Sequence, residues 1–217
     1  MMRFPLALLI LASATVGGLY AWARVRSAMP PEGSQLVLIE EAKHLVTPDM
    51  AESSRAMLDR PAPGFAKRAT DGETHRLDEM LGGGPVLLTF IKKGCPCSEA
   101  AQSFFNQLHA AYPKVSMWGV IDQDLEKAKE WAGRFHVPYP LLVAPEEDLI
   151  HAYGVENSAY SILVGPRGRI AKHWPGYSEP MLRELGSLMA EMTASPEKPL
   201  DLADAPLELY TGCPYDL

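Results

Sequence analysis

Cysteine is scarce here: three residues in 217, at positions 95, 97 and 213. So few half-cystines exclude a small module held together by disulfides, and with 47% hydrophobic residues the chain can bury a core without cross-links. Lysine and arginine never cluster beyond isolated pairs and the formal net charge is -7, which argues against a nucleic-acid surface and leaves small molecules or proteins as partners. A Gly-x-Ser-x-Gly elbow, a phosphate loop and a dinucleotide fingerprint are all absent, so hydrolase and nucleotide-dependent chemistry lack their signatures. The six histidines stand singly and there is no second close-spaced cysteine pair, so a metal clip at Cys95 and Cys97 lacks its other ligands. His173 is the one histidine kept as a third-ligand candidate. No metal and no cofactor is expected.

What is present begins at the N-terminus. From Phe4 to Ala23 every residue is uncharged, a stretch about long enough to cross a bilayer. It reads as an export signal or a membrane anchor, and Ala21-Trp22-Ala23 has the small-x-small form of a cleavage site. The remainder is therefore expected outside the cytoplasm, where disulfides persist.

Residues 24–60 read as a spacer with two short helix-like patches, Gln35 to Leu45 and Asp49 to Leu58. Asp71-Gly72 marks a hairpin between short strands, Phe65 to Ala69 and Thr74 to Leu77. After Gly82-Gly-Gly-Pro85, strand and helix patterns alternate. Val86 to Ile91 is a continuous apolar run, as in a strand buried on both faces. The apolar positions of Ser98 to Tyr112 recur at helical spacing. Val115 to Ile121 and Tyr139 to Val143 are further strands, with a helix between them capped by Asp122 or Asp124. Gly165-Pro-Arg-Gly168 joins two antiparallel strands, and Ser178 caps a last amphipathic helix. The order predicts an α/β sandwich with a mixed sheet over residues 61–193 and an extended tail over 194–217.

The dithiol falls at the C-terminal end of a central strand, where chemistry collects in open α/β sheets. With Pro96 at the first helical position, Cys95 becomes the N-cap. A thiolate there is favoured by free backbone N–H groups and the helix dipole, and Lys92 and Lys93 add positive charge. Cys95 is thus the candidate nucleophile. Cys97 lies two residues on, and such positions point to nearly opposite sides of a regular helix, so a Cys95–Cys97 disulfide needs local unwinding. Cys213, brought in by the tail, is the alternative resolving thiol, because loop-closure entropy grows only slowly with length.

Ala62-Pro-Gly-Phe65, Leu87-Leu-Thr-Phe90, Pro138-Tyr-Pro-Leu-Leu142, Ala152-Tyr-Gly-Val155 and Ile162-Leu-Val-Gly-Pro-Arg-Gly-Arg-Ile170 together resemble the thioredoxin-like redoxin group, the AhpC/TSA family. The resemblance implies a thioredoxin-like fold and thiol-dependent oxidoreductase or antioxidant activity. The short step from Phe90 to Cys95 is similar to that of membrane-linked thiol-disulfide oxidoreductases. Two departures stand out: Cys95-Pro-Cys97 replaces Cys-x-x-Cys, and Ala159 stands where a cis-proline is the family pattern.

The expected activity is thiol–disulfide exchange outside the cytoplasm, with Cys95 attacking and Cys97 or Cys213 resolving. The expected partner is a protein dithiol or disulfide, together with an electron donor that the sequence leaves unidentified. A peroxide-consuming peroxidase and a non-catalytic copper(I)-binding or partner-docking domain are the competing readings.

Overall fold

The computed structural model describes residues 44–215. The uncharged N-terminal stretch and most of the Gln35 to Leu45 patch lie outside them. Among the described residues no helix is long and apolar enough to cross a membrane. At the edge of that patch, Leu45 is extended rather than helical and bridges to Tyr210, so a pairing between distant parts of the chain overrides local helix preference.

Helix α1 (Pro48–Ala56) opens with Thr47, whose side chain accepts from the Met50 amide. Strands β1 (Ala66–Arg68) and β2 (Thr74–Arg76) form the expected antiparallel hairpin, followed by the short α2 (Leu77–Leu81). The main sheet then assembles from β3 (Val86–Ile91), β4 (Ser116–Ile121), β5 (Leu141–Val143), β6 (Ser161–Val164) and β7 (Ile170–Trp174), in the order β5-β4-β3-β6-β7. The strands β3, β4 and β5 run parallel, while β6 and β7 are antiparallel additions. Helices α3 (Pro96–Ala111) and α4 (Leu125–Arg134) make the parallel crossovers; α5 (Asp148–Ala152) and α6 (Glu179–Met192) complete the layers.

Every residue of β3 is buried, and the strand feeds two cores. Leu87 and Ile91 join Phe104, Phe105 and Leu108 of α3 and Leu182, Leu185 and Met189 of α6 on one face. Val86, Leu88 and Phe90 join Leu77, Ile150 and Tyr153 on the other. This two-faced burial is what the unbroken apolar run demands. The caps follow the sequence: Asp124 accepts from the Lys127 amide at 3.0 Å and Ser178 from the Met181 amide at 3.2 Å.

Beyond α6 the described residues form no further helix, yet they are tightly seated. Leu202, Thr211 and Tyr215 are buried, and Tyr210 exchanges backbone hydrogen bonds with Tyr177 at 2.9 and 3.0 Å. Gly176 makes this approach possible. A Cβ there would come 2.3 Å from the Tyr210 carbonyl oxygen.

Candidate active site

The strand-to-helix junction after β3 fixes Cys95. Its backbone is extended (φ -84, ψ 118) and is the N-cap of α3, with Pro96 opening the helix. The expected capping contact is not made: the Cys95 side chain accepts no hydrogen bond from a backbone amide in the first turn of α3. Instead, the Cys95 sulfur accepts the Cys213 amide N–H at 3.1 Å. A neighbouring thiol from Cys97 also donates to it, with Cys213 and Ser158 contributing further contacts.

These contacts draw the Cys95 thiol well below its ordinary range, the Cys97 hydrogen bond being the largest cause and burial opposing it. Cys97 is pushed far upward, first by sharing its proton with Cys95 and then by burial. Cys213 is raised to about 11, first by burial and then by its contacts with Cys95. One thiolate flanked by two protonated thiols is the favoured charge state. Three sulfurs cannot all ionise side by side in a buried site.

The geometry corrects the expectation that Cys97 faces away from Cys95. That expectation treats both residues as helical, whereas Cys95 is extended and only Cys97 lies on the helix proper. Both are buried, at 1% and 5% exposure, and Cys213 is half-buried. No disulfide joins any of the three.

The Lys92 charge acts on Cys213, where it lowers the thiol against burial, and both lysines are also held by partners. Lys93 pairs with Glu130 at 2.7 Å. Lys92 donates to the Pro214 carbonyl at 2.7 Å and lies 5.7 Å from the centre of the Tyr215 ring, so it holds the tail over the site.

No pattern in the sequence singles out Asn157, Ser158 or Gly212, yet they form the tail's seat. The Ser158 amide donates to the Cys213 carbonyl at 2.9 Å, and the Gly212 amide donates to the Ser158 carbonyl at 2.9 Å. Asn157 Nδ2 adds a bond to the Gly212 carbonyl at 2.8 Å, and the Tyr215 amide donates to the Glu156 carbonyl at 3.0 Å. Each such bond contributes about 0.5–1.5 kcal/mol net, so the seat is specific while remaining open to local release. Ala159 follows in a trans, left-handed conformation with φ 61. A left-handed alanine costs about 1–2 kcal/mol, offset here by its amide donating to the Phe90 carbonyl at 2.8 Å.

His173 is not a metal ligand in this fold. Its Nε2 donates to the Tyr153 carbonyl at 3.0 Å and its Nδ1 accepts from the Ser54 hydroxyl at 3.0 Å, so both nitrogens are used, one tying β7 to the end of α5 and the other to α1. Among the described residues no group of three or more His, Cys, Asp or Glu side chains is arranged to hold a metal ion.

A mixed five-stranded sheet with a thiol centre at the end of its central strand defines a thioredoxin-like protein. The chain belongs to the AhpC/TSA family, whose model matches residues 58–173. It is similar to the thiol-disulfide oxidoreductase ResA of Geobacillus thermodenitrificans, at 26% identity over 56% of this chain and 71% of that protein. The thiol:disulfide interchange protein DsbE of Escherichia coli K12 is also 26% identical, over 68% of this chain and 81% of its own length. Among solved structures, the thioredoxin domain of a thiol-disulfide oxidoreductase from Bacteroides vulgatus superposes with a TM-score of 0.55 at 17% identity. That match covers 61% of this chain and 97% of the other, and it shows the shared fold.

Proposed function

We propose that this protein is a thiol–disulfide oxidoreductase working on protein substrates outside the cytoplasm, with Cys95 as nucleophile and Cys213 as the resolving thiol. The observation that carries the reading is the 3.1 Å contact between the Cys213 amide and the Cys95 sulfur, which sets the tail cysteine against a stabilised thiolate. Membership of the AhpC/TSA family and likeness to proteins named ResA and DsbE support the reaction class. The uncharged stretch from Phe4 to Ala23 supports export, with cleavage or tethering as its two forms.

In the reducing direction, the Cys95 thiolate attacks a substrate disulfide. A Cys95–substrate bond forms and the departing substrate sulfur leaves as thiolate. Cys213, deprotonated as it attacks, then displaces the second substrate sulfur, giving a Cys95–Cys213 disulfide and a fully reduced substrate. Two electrons have passed outward, and an external dithiol must return them. Cys97 keeps its proton and hydrogen-bonds Cys95 thiolate whenever that thiolate is free.

Peptide mapping of the oxidised protein tests the assignment. A Cys95–Cys213 link is expected, and Cys213→Ser should trap the mixed disulfide between Cys95 and a model substrate. If Cys95→Ser reduces that substrate as well as the wild type, the reading fails.

A further inference from the structure

The tail's seat carries information about what else can enter it. The seat is lined by main chain: the Ser158 N–H and C=O pair with extended residues 212–213, and the Asn157–Pro214 bridge continues the pairing. Backbone pairing of this kind accepts any sequence in principle, leaving specificity to local crowding and side-chain pockets. The crowding here is severe at one position. A Cβ on residue 212 would come 2.1 Å from the Ser158 hydroxyl oxygen and 2.7 Å from the Ser158 carbonyl oxygen. The hydroxyl could rotate aside, but the carbonyl is fixed by its bond from the Gly212 amide.

Cys95 is buried beneath this seat and its sulfur is contacted by the residue that follows the glycine. An external sulfur that follows the tail's register must therefore bring its own preceding residue against Ser158. We propose that Ser158 is a specificity-determining residue that admits only glycine immediately before the reacting cysteine of a partner protein. The inference rests on the exchange reading above and adds to it the local sequence of the partner. Two residues after the cysteine, Tyr215 fills a buried position, so the seat fits a Gly-Cys-x-aromatic segment. The tail Gly212-Cys-Pro-Tyr215 is itself such a segment and competes for the seat until a partner displaces it.

The test uses the full-length reduced protein carrying Cys213→Ser, in which the mixed disulfide on Cys95 is not resolved, and short synthetic peptides whose cysteine is activated as a mixed disulfide with thionitrobenzoate. The Cys95 thiolate attacks the peptide sulfur, a Cys95–peptide disulfide forms, and thionitrobenzoate leaves with the electron pair. Its release gives the rate, and the adduct is mapped after acid quench. The peptide Thr-Gly-Cys-Pro-Tyr is expected to react at least about tenfold faster than its Thr-Ala-Cys-Pro-Tyr counterpart, the size of effect that a modest steric penalty produces. Ser158→Ala removes one of the two obstructions and should narrow the ratio without abolishing it. Gly212→Ala unseats the protein's own tail and should speed reaction with the glycine peptide. Equal rates for the two peptides, with adducts on Cys95, overturn the glycine requirement while leaving exchange intact. Absence of a Cys95 adduct with every peptide overturns the exchange reading itself, and the inference with it.

Discussion

The Cys213 amide donates to the Cys95 sulfur at 3.1 Å, although 118 positions separate the two residues along the chain. That contact joins the end of a central strand to the C-terminal tail, and it makes the thiol centre a product of tail docking as much as of the helix start.

Removing the Cys97 thiol should raise the Cys95 titration. The Cys97 hydrogen bond is the largest cause of the low Cys95 value, so Cys97→Ala leaves the thiolate less stabilised and moves its ionisation to higher pH. Cys97→Ser keeps a donor and should restore much of the shift. Ultraviolet thiolate absorbance as a function of pH reads both variants. An unchanged curve for Cys97→Ala would remove the proton-sharing role.

Gly176→Ala should loosen the tail while sparing the sheet. The added methyl meets the Tyr210 carbonyl oxygen at 2.3 Å, and that carbonyl is held by the Tyr177 amide at 2.9 Å. Alkylation of Cys95 in the folded, reduced protein is expected to accelerate. Equal alkylation rates in variant and wild type would show that the tail does not shield the nucleophile.

His173 gives an acid-sensitive tie. Burial pushes this imidazole below its ordinary range, partly opposed by its bond to the Tyr153 carbonyl. As pH falls below about 6.5, the unfolded chain takes up a proton that the native state resists, so stability present above that pH is lost on the way down. His173→Gln should flatten the decline relative to wild type. Urea midpoints measured from neutral to mildly acidic pH compare the two slopes.

Overpacking beneath β4 should be costly without touching the thiols. A Cβ at Gly119 would lie 2.3 Å from Leu141 Cδ2 and 3.0 Å from Ile91 Cδ1. Gly119→Ala is expected to destabilise by about 1–3 kcal/mol, the range for an extra methyl in a packed core. Equilibrium unfolding in urea would show it as a lower midpoint.

The elements of the sheet were readable because their signals are local. The run Val86 to Ile91 is apolar at every position but Thr89 and becomes the central strand with the same bounds. Asp124 and Ser178 cap the helices they precede, and Pro96 opens α3 as its fixed φ requires. Cys95 was legible as a junction cysteine for the same reason. The orientation of Cys97 was not, because the extended backbone of Cys95 breaks the helical spacing between the two.

The alternation of elements, the fully buried central strand and the position of Cys95 at its end all follow from hydrophobic period and helix-start chemistry. What surrounds that sulfur follows from the folded chain instead. Burial of Tyr215, the close approaches at Gly176 and Gly212, and the paired backbone of Ser158 bring Cys213 to it. Such contacts join residues with no shared period and no fixed spacing, and they exist only after the sheet has placed the β6 entry beside the end of β3.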